Sequence, residues 1–287
     1  MKKASKIILI IALCFLVLGI GLYASAVGMT GKLGLSYAQM QDTIHSESKS
    51  ETIRELFQSI RIDDVECDIR LVPAEGSDTV VEYADCNLYQ HEIRVKDGTL
   101  IITAEDVSNF WDRFFVISRS HEIIIHLPFS QLEELGIETV SGDIQVPSDF
   151  SIGFLSIGTT SGNVEIACPV SGSVTIETVS GSITLEHTAP NELFLEATSG
   201  EVNLTAVTAG EFAELSTVSG NIQLNGVEAP SLLASTVSGN LTGTTPTVKS
   251  FQTDTTSGSV YLSDHQSDAP VWELTTVSGD IRMTVAP

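Results

Sequence analysis

"TVSGDIQV" (residues 139–146) returns as "TTSGNVEI" (159–166), "TVSGSITL" (178–185), "ATSGEVNL" (197–204), "TVSGNIQL" (217–224), "TVSGNLTG" (236–243), "TTSGSVYL" (255–262) and "TVSGDIRM" (276–283). The serine-glycine pairs are Ser141-Gly142, Ser161-Gly162, Ser180-Gly181, Ser199-Gly200, Ser219-Gly220, Ser238-Gly239, Ser257-Gly258 and Ser278-Gly279. Successive serines are 20, 19, 19, 20, 19, 19 and 21 residues apart. A repeat this short is one supersecondary unit that cannot bury its apolar face alone, and stacking of such units makes a solenoid.

Columns read down the eight copies give the local structure. Six places before each serine stand Leu135, Leu155, Val174, Leu193, Ala213, Leu232, Phe251 and Trp272. Three places after it stand Ile144, Val164, Ile183, Val202, Ile222, Leu241, Val260 and Ile281, and the fifth place is also mostly apolar. Polar residues such as Asp143, Asn163, Ser182, Glu201, Asn221, Asn240, Ser259 and Asp280 lie between. Alternation of this kind is the period of a strand buried on one face, and helical spacing does not fit it. Each unit is therefore read as strand, Ser-Gly corner, strand and a turn such as "EHTAPNE" or "NGVEAPS". The expected fold is all-β, a parallel β-solenoid of 19–20 residues per coil behind one N-terminal transmembrane helix.

The corner motif is read as structural. Glycine reaches the positive φ that a sharp corner demands. The threonines two places before the serines (Thr139, Thr159, Thr178, Thr217, Thr236, Thr255 and Thr276), and by the alternation the serines too, are expected to point inward. A nucleophilic serine needs a positioned base, and none of the six histidines keeps a regular place against the motif. The extra Ser-Gly at Ser171 falls between two corners and is read as a turn.

Residues 1–6 are read as a cytoplasmic tail and 7–28 as a transmembrane anchor, because Ile7 to Gly31 carries no charge and lysines precede it. A signal peptide cut after "ASA" (24–26) is the competing reading. Residues 29–58 are read as a polar juxtamembrane stalk with a short helix near Ser50–Phe57. Residues 59–131 are read as atypical N-terminal coils and cap, and 132–287 as the regular coils. In "IRIDDVECDIRLV", Glu66-Cys67 takes the place of Ser-Gly, and "VKDGTLIIT" signals a hairpin at Asp97-Gly98. Phe110, Trp111, Phe114 and Phe115 are read as a packed cap, with a contact surface as the alternative. Cys67 and Cys86 are 19 residues apart, one coil length, which would bring them within disulfide reach if their coils were neighbours.

The chain carries 37 acidic and 14 basic residues. Beyond Arg119 only Lys249 and Arg282 oppose 20 Asp and Glu, a surface that repels nucleic acid. No paired-cysteine zinc spacing, phosphate-cradling glycine loop or calcium-roll nonapeptide occurs, so no cofactor or metal is expected.

The anchor, the "DVECDIRLV" coil, the "VKDGTLIIT" hairpin and the serial "TVSGDI" pattern together resemble the putative-adhesin family of bacterial β-strand-repeat domains of unknown function, which includes LiaG-like envelope proteins. The resemblance covers roughly residues 55–287 and supplies no catalytic residues. It implies a non-enzymatic, membrane-attached protein of the cell envelope, with the coils outside the cytoplasm and an unidentified protein or glycan as partner. Two other readings are weighed with it. One is a polymer-forming scaffold or homo-oligomer assembled through the C-terminal end, where "TVSGDIRM" has no obvious cap. The other is a carbohydrate-active β-helix enzyme, which the scarcity of arginine and lysine on the repeat disfavours.

Overall fold

The computed structural model describes residues 46–86, 89–106, 121–263 and 266–286. The anchor read over 7–28 and the aromatic residues Phe110, Trp111, Phe114 and Phe115 lie outside them. Among the described residues no helix is long and apolar enough to cross a membrane.

The eight repeats form eight coils. Each contributes one strand to an 11-stranded sheet, such as Glu192–Ser199, and after the corner a shorter one to a 12-stranded sheet, such as Val202–Thr205. Neighbouring coils pair in parallel with the serines in register, Ser141 on Ser161, Ser161 on Ser180, and so on to Ser219 on Ser238. Between coils, the turns add a narrow third side through single bridges such as Thr208 to Glu228. The apolar columns fill the space between the sheets, and Leu135, Val174, Leu193, Ile183, Val202 and Ile222 are wholly buried. At about 25 cal/mol per Å² of apolar surface removed from water, this continuous core is what holds the short strands together.

Chain order and stacking order part company at both ends. Val271–Ser278 pairs with Ser231–Ser238 on one side and with Ser250–Ser257 on the other, so the last repeat is sandwiched and the coil at the end is Ser250–Leu262. This corrects the expectation that "TVSGDIRM" forms the open end. The side chains explain the order. The last repeat offers Trp272, Leu274, Ile281 and Met283, all buried, whereas Ser250–Leu262 has Thr253 where the other coils carry Ile, Leu or Ala, and leaves Val260, Tyr261 and Leu262 exposed. The more apolar coil takes the inner slot. Lys249, in the crossover, is fully buried, ion-paired with Glu228 and placed 5.4 Å from the centre of the Trp272 ring.

At the other end, Ser59–Asp63 and Cys67–Pro73 make a coil in register with the regular ones, Ile60 on Leu135 and Ile69 on Ile144. Glu66-Cys67 therefore does occupy the corner. Thr99–Asp106 and His121–Leu127 lie outside that coil, although they follow it in sequence. Antiparallel strands finish the stack. Tyr89–Lys96 turns into Thr99–Asp106 through Asp97 and Gly98, both at positive φ as the hairpin reading requires. Thr79–Cys86 pairs with His121–Leu127 and then with Ser46–Ile53. The helix expected near Ser50–Phe57 is thus corrected to an edge strand. Eight paired positions outweigh its weak β-propensity, and charged residues such as Glu47, Lys49 and Glu51 are tolerated on an edge. Cys67 and Cys86 are free thiols, and the strand His121–Leu127 runs between theirs.

Candidate functional site

The corner differs from its sequence reading in two respects. Only Gly142 of the eight corner glycines has φ in the left-handed region, +134°. What demands glycine elsewhere is stacking. A Cβ on Gly162, Gly181, Gly200, Gly220, Gly239, Gly258 or Gly279 would overlap the carbonyl oxygen of the corner glycine in the adjoining coil. The backbone approaches this closely because each corner glycine except Gly258, which is in the end coil, donates its N–H to the serine carbonyl of the adjoining coil on the other side, for example Gly200 to Ser219 at 3.2 Å.

The threonines do point inward. Thr217, Thr236 and Thr276 donate their hydroxyls to the carbonyls of Gly200, Gly220 and Gly239 at 3.0–3.1 Å. The serines do not, and all eight are exposed. Strand alternation ends at the bend, so the residue before each serine is turned outward together with it, and Val140, Val179, Val218, Val237 and Val277 are about half exposed. None of the eight serine hydroxyls has a hydrogen-bond partner among the described residues.

Across the glycine column stands a second ladder whose polar groups are satisfied. Asp68, Asp143, Asn163, Asn221, Asn240 and Asp280 each accept at a side-chain oxygen the backbone N–H of the equivalent residue in the next coil, which is Ser182 for Asn163 and Ser259 for Asp280. The distances are 2.8–3.0 Å. A missing Cβ column between two polar walls makes a shallow groove, lined by Ser141, Ser161, Asp143 and Asn163 at its N-terminal end. Eight coils at about 4.8 Å give this surface a length of roughly 34 Å.

A second cluster lies where the first coil meets the antiparallel cap. Asp64 occupies the threonine column and, like a capping residue, its Oδ1 accepts the N–H groups of Val65, Glu66 and Cys67 at 2.6–3.1 Å. Its Oδ2 lies 2.9 Å from His91 Nε2, and His91 Nδ1 lies 2.9 Å from Asp85 Oδ1. Lys49 Nζ donates to Asp85 Oδ2 at 2.7 Å. Both ring nitrogens face carboxylates, which favours the protonated ring. Burial alone would lower its pKa, but the bonds to Asp64 and Asp85 outweigh burial and the net shift is upward. Burial would raise both aspartates, and their partners, chiefly His91 for Asp64 and Lys49 for Asp85, hold them below the usual carboxylate range.

Cys67 Sγ is 3.8 Å from His91 Nε2. Cys67, His91 and Asp85 thus superficially arrange a thiol, an imidazole and a carboxylate. Burial, and then the charge of Asp64, push the thiol pKa far up, opposite to what a nucleophile needs. Asp64 Oδ2, Cys67 Sγ and His91 Nε2 all lie within 4.8 Å of one another. Sequence reading missed this cluster because His91 comes from a cap strand with no fixed spacing to the first coil. The available signal was Asp64 standing where seven of the eight regular coils carry threonine and the eighth Ala197.

Stacked parallel coils with a glycine corner and an antiparallel N-terminal cap define an all-β repeat domain. The chain belongs to the Toastrack DUF4097 family, whose model matches residues 57–286. Its fold is shared by a "putative adhesin" of Bacteroides fragilis, 16% identical over 84% of this chain and 97% of that one, with a TM-score of 0.52. A "putative adhesin" of Parabacteroides distasonis gives 14% identity over 83% and 97% at 0.54. A "putative lipid binding protein" of the same organism gives 18% over 83% and 96% at 0.53. No curated protein matches.

Proposed function

We propose that this protein is a non-enzymatic component of the cell envelope, held in the membrane by its N-terminal segment and presenting the solenoid outside the cell as an adhesive or scaffolding surface. The observation that carries this reading is the corner array of eight outward serine hydroxyls, unpartnered and evenly stacked beside a glycine groove. Such an array offers identical hydrogen-bonding groups at the strand-to-strand repeat, which suits an extended partner with a repeat of its own, such as an envelope glycan. The uncharged run Ile7 to Gly31 supports the anchor, and the names of the fold relatives from Bacteroides and Parabacteroides accord with adhesion.

In the test, the full chain sediments with membranes and is trimmed by protease added to intact cells. Immobilised full chain retains purified envelope glycan, and Ser199→Arg with Ser219→Arg abolishes retention. Recovery of the protein from the cytosol, or retention unchanged by the two arginines, overturns the proposal.

A second reading, assembly through the C-terminal end, is favoured by the coil Ser250–Leu262. Its outer edge has no neighbouring strand among the described residues, and Val260, Tyr261 and Leu262 are exposed there. Light scattering of the detergent-solubilised chain would rise with concentration and fall back on Tyr261→Lys. A mass constant across concentrations refutes it.

A further inference from the structure

We propose that Asp64 Oδ2, Cys67 Sγ and His91 Nε2 form a site for a single Zn²⁺ or similar borderline transition-metal ion, which would fasten the antiparallel cap to the first coil. The inference stands independently of the surface reading.

Three observations converge on it. The first is the donor set, one carboxylate oxygen, one thiol sulfur and one imidazole nitrogen from two separate parts of the chain, all within 4.8 Å of one another. Around a tetrahedral ion with metal–sulfur bonds of about 2.3 Å and metal–nitrogen or metal–oxygen bonds of about 2.1 Å, ligand atoms lie about 3.4–3.6 Å apart. The observed separations, 2.9 Å for Asp64 Oδ2 to His91 Nε2 and 3.8 Å for Cys67 Sγ to His91 Nε2, bracket that range. For these two pairs, shifts of a few tenths of an ångström reach ligand spacing.

The second observation is the outer support. Asp85 accepts the Nδ1–H of His91 and is itself held by Lys49, which aims Nε2 at the other two donors. A carboxylate behind a ligating histidine is the usual means of setting its tautomer and basicity. Asp64 is fixed in the same way, because three backbone N–H groups occupy Oδ1 and leave Oδ2 for the ion.

The third is enclosure. The Asp64 and His91 side chains are only 2% exposed, so the donors face one another rather than bulk water. A thiolate, an imidazole and a carboxylate in one place select a borderline ion over Mg²⁺ or Ca²⁺.

The test uses the full chain in detergent, stripped with chelator and titrated with Co²⁺ and Zn²⁺ in excess Mg²⁺, which occupies the acidic surface. One Co²⁺ per chain produces a thiolate-to-metal charge-transfer band, and Zn²⁺ displaces it. Cys67→Ser abolishes the band, Cys86→Ser and Cys168→Ser retain it, and Asp85→Asn weakens affinity about 10- to 100-fold. Absence of the band in the folded wild-type chain, or its survival in Cys67→Ser, overturns the assignment. Loss of the band on Cys86→Ser alone overturns the ligand set.

Discussion

Replacing Gly200 by alanine isolates the force that shapes the corner. The new methyl would overlap the Gly181 carbonyl, and φ at Gly200 lies outside the left-handed region, so the penalty is steric and lies between coils. Relief requires the two coils to part locally, which stretches Gly181 N–H to Ser199 (3.2 Å) and Ile183 N–H to Glu201 (2.9 Å). Two backbone hydrogen bonds at about 1 kcal/mol each, with about 1–3 kcal/mol for overpacking, give about 3–5 kcal/mol. The matched control is Gly136→Ala, where the nearest atom to the new methyl is the Ile60 carbonyl oxygen at 4.0 Å. There the loss of chain entropy in the unfolded state predicts stabilisation by about 0.5 kcal/mol. Urea unfolding of the full chain followed by circular dichroism measures both, and hydrogen exchange locates the damage at Ser180–Leu185 and Ser199–Leu204. If Gly200→Ala costs less than about 1 kcal/mol and exchange there is unchanged, close stacking is not the reason for the glycine column.

Three further outcomes are expected. Among the described residues, Glu228→Ala leaves the buried Lys249 ammonium with the Ala229 carbonyl and the Trp272 ring. It should destabilise by about 3 kcal/mol, more than Lys249→Met, with early exchange in Ser250–Leu262. The Cys168 thiol, pushed up to about 12 by burial, should resist alkylation at pH 8 in the folded chain and react only on unfolding, as peptide mapping would show. Asn221→Ala removes one link of an exposed ladder, where water replaces the lost acceptor for Asn240, and should cost only about 0.5–1 kcal/mol in the same urea titration.

Much of the fold was legible because the core columns depend on period alone. Leu135, Ile144 and their equivalents, Val260 of the end coil excepted, are buried where two-residue alternation places them, and Asp97-Gly98 turns as its dipeptide implies. Alternation misled at Ser141 and its equivalents because it holds only while the strand is straight, and the bend turns two successive residues outward. The purpose of the glycines was hidden for a different reason, since their contacts are between coils rather than along the chain. The stacking order of the last two repeats left only a faint trace, Thr253 in an otherwise apolar column. Of the metal-site residues, Asp64 and Cys67 betray themselves as departures from the repeat, but nothing local connects either to His91.

The interleaving of coils at the two ends bears on how the molecule carries mechanical load. Tension applied at Ala286 reaches Val271–Val285 first, and that strand pair is gripped on both flanks. It must shear two ladders at once, whereas a solenoid stacked in chain order would surrender its last turn by unzipping one. Threading of this kind gives the last segment of the chain the same two-sided hold as a coil in the middle of the stack.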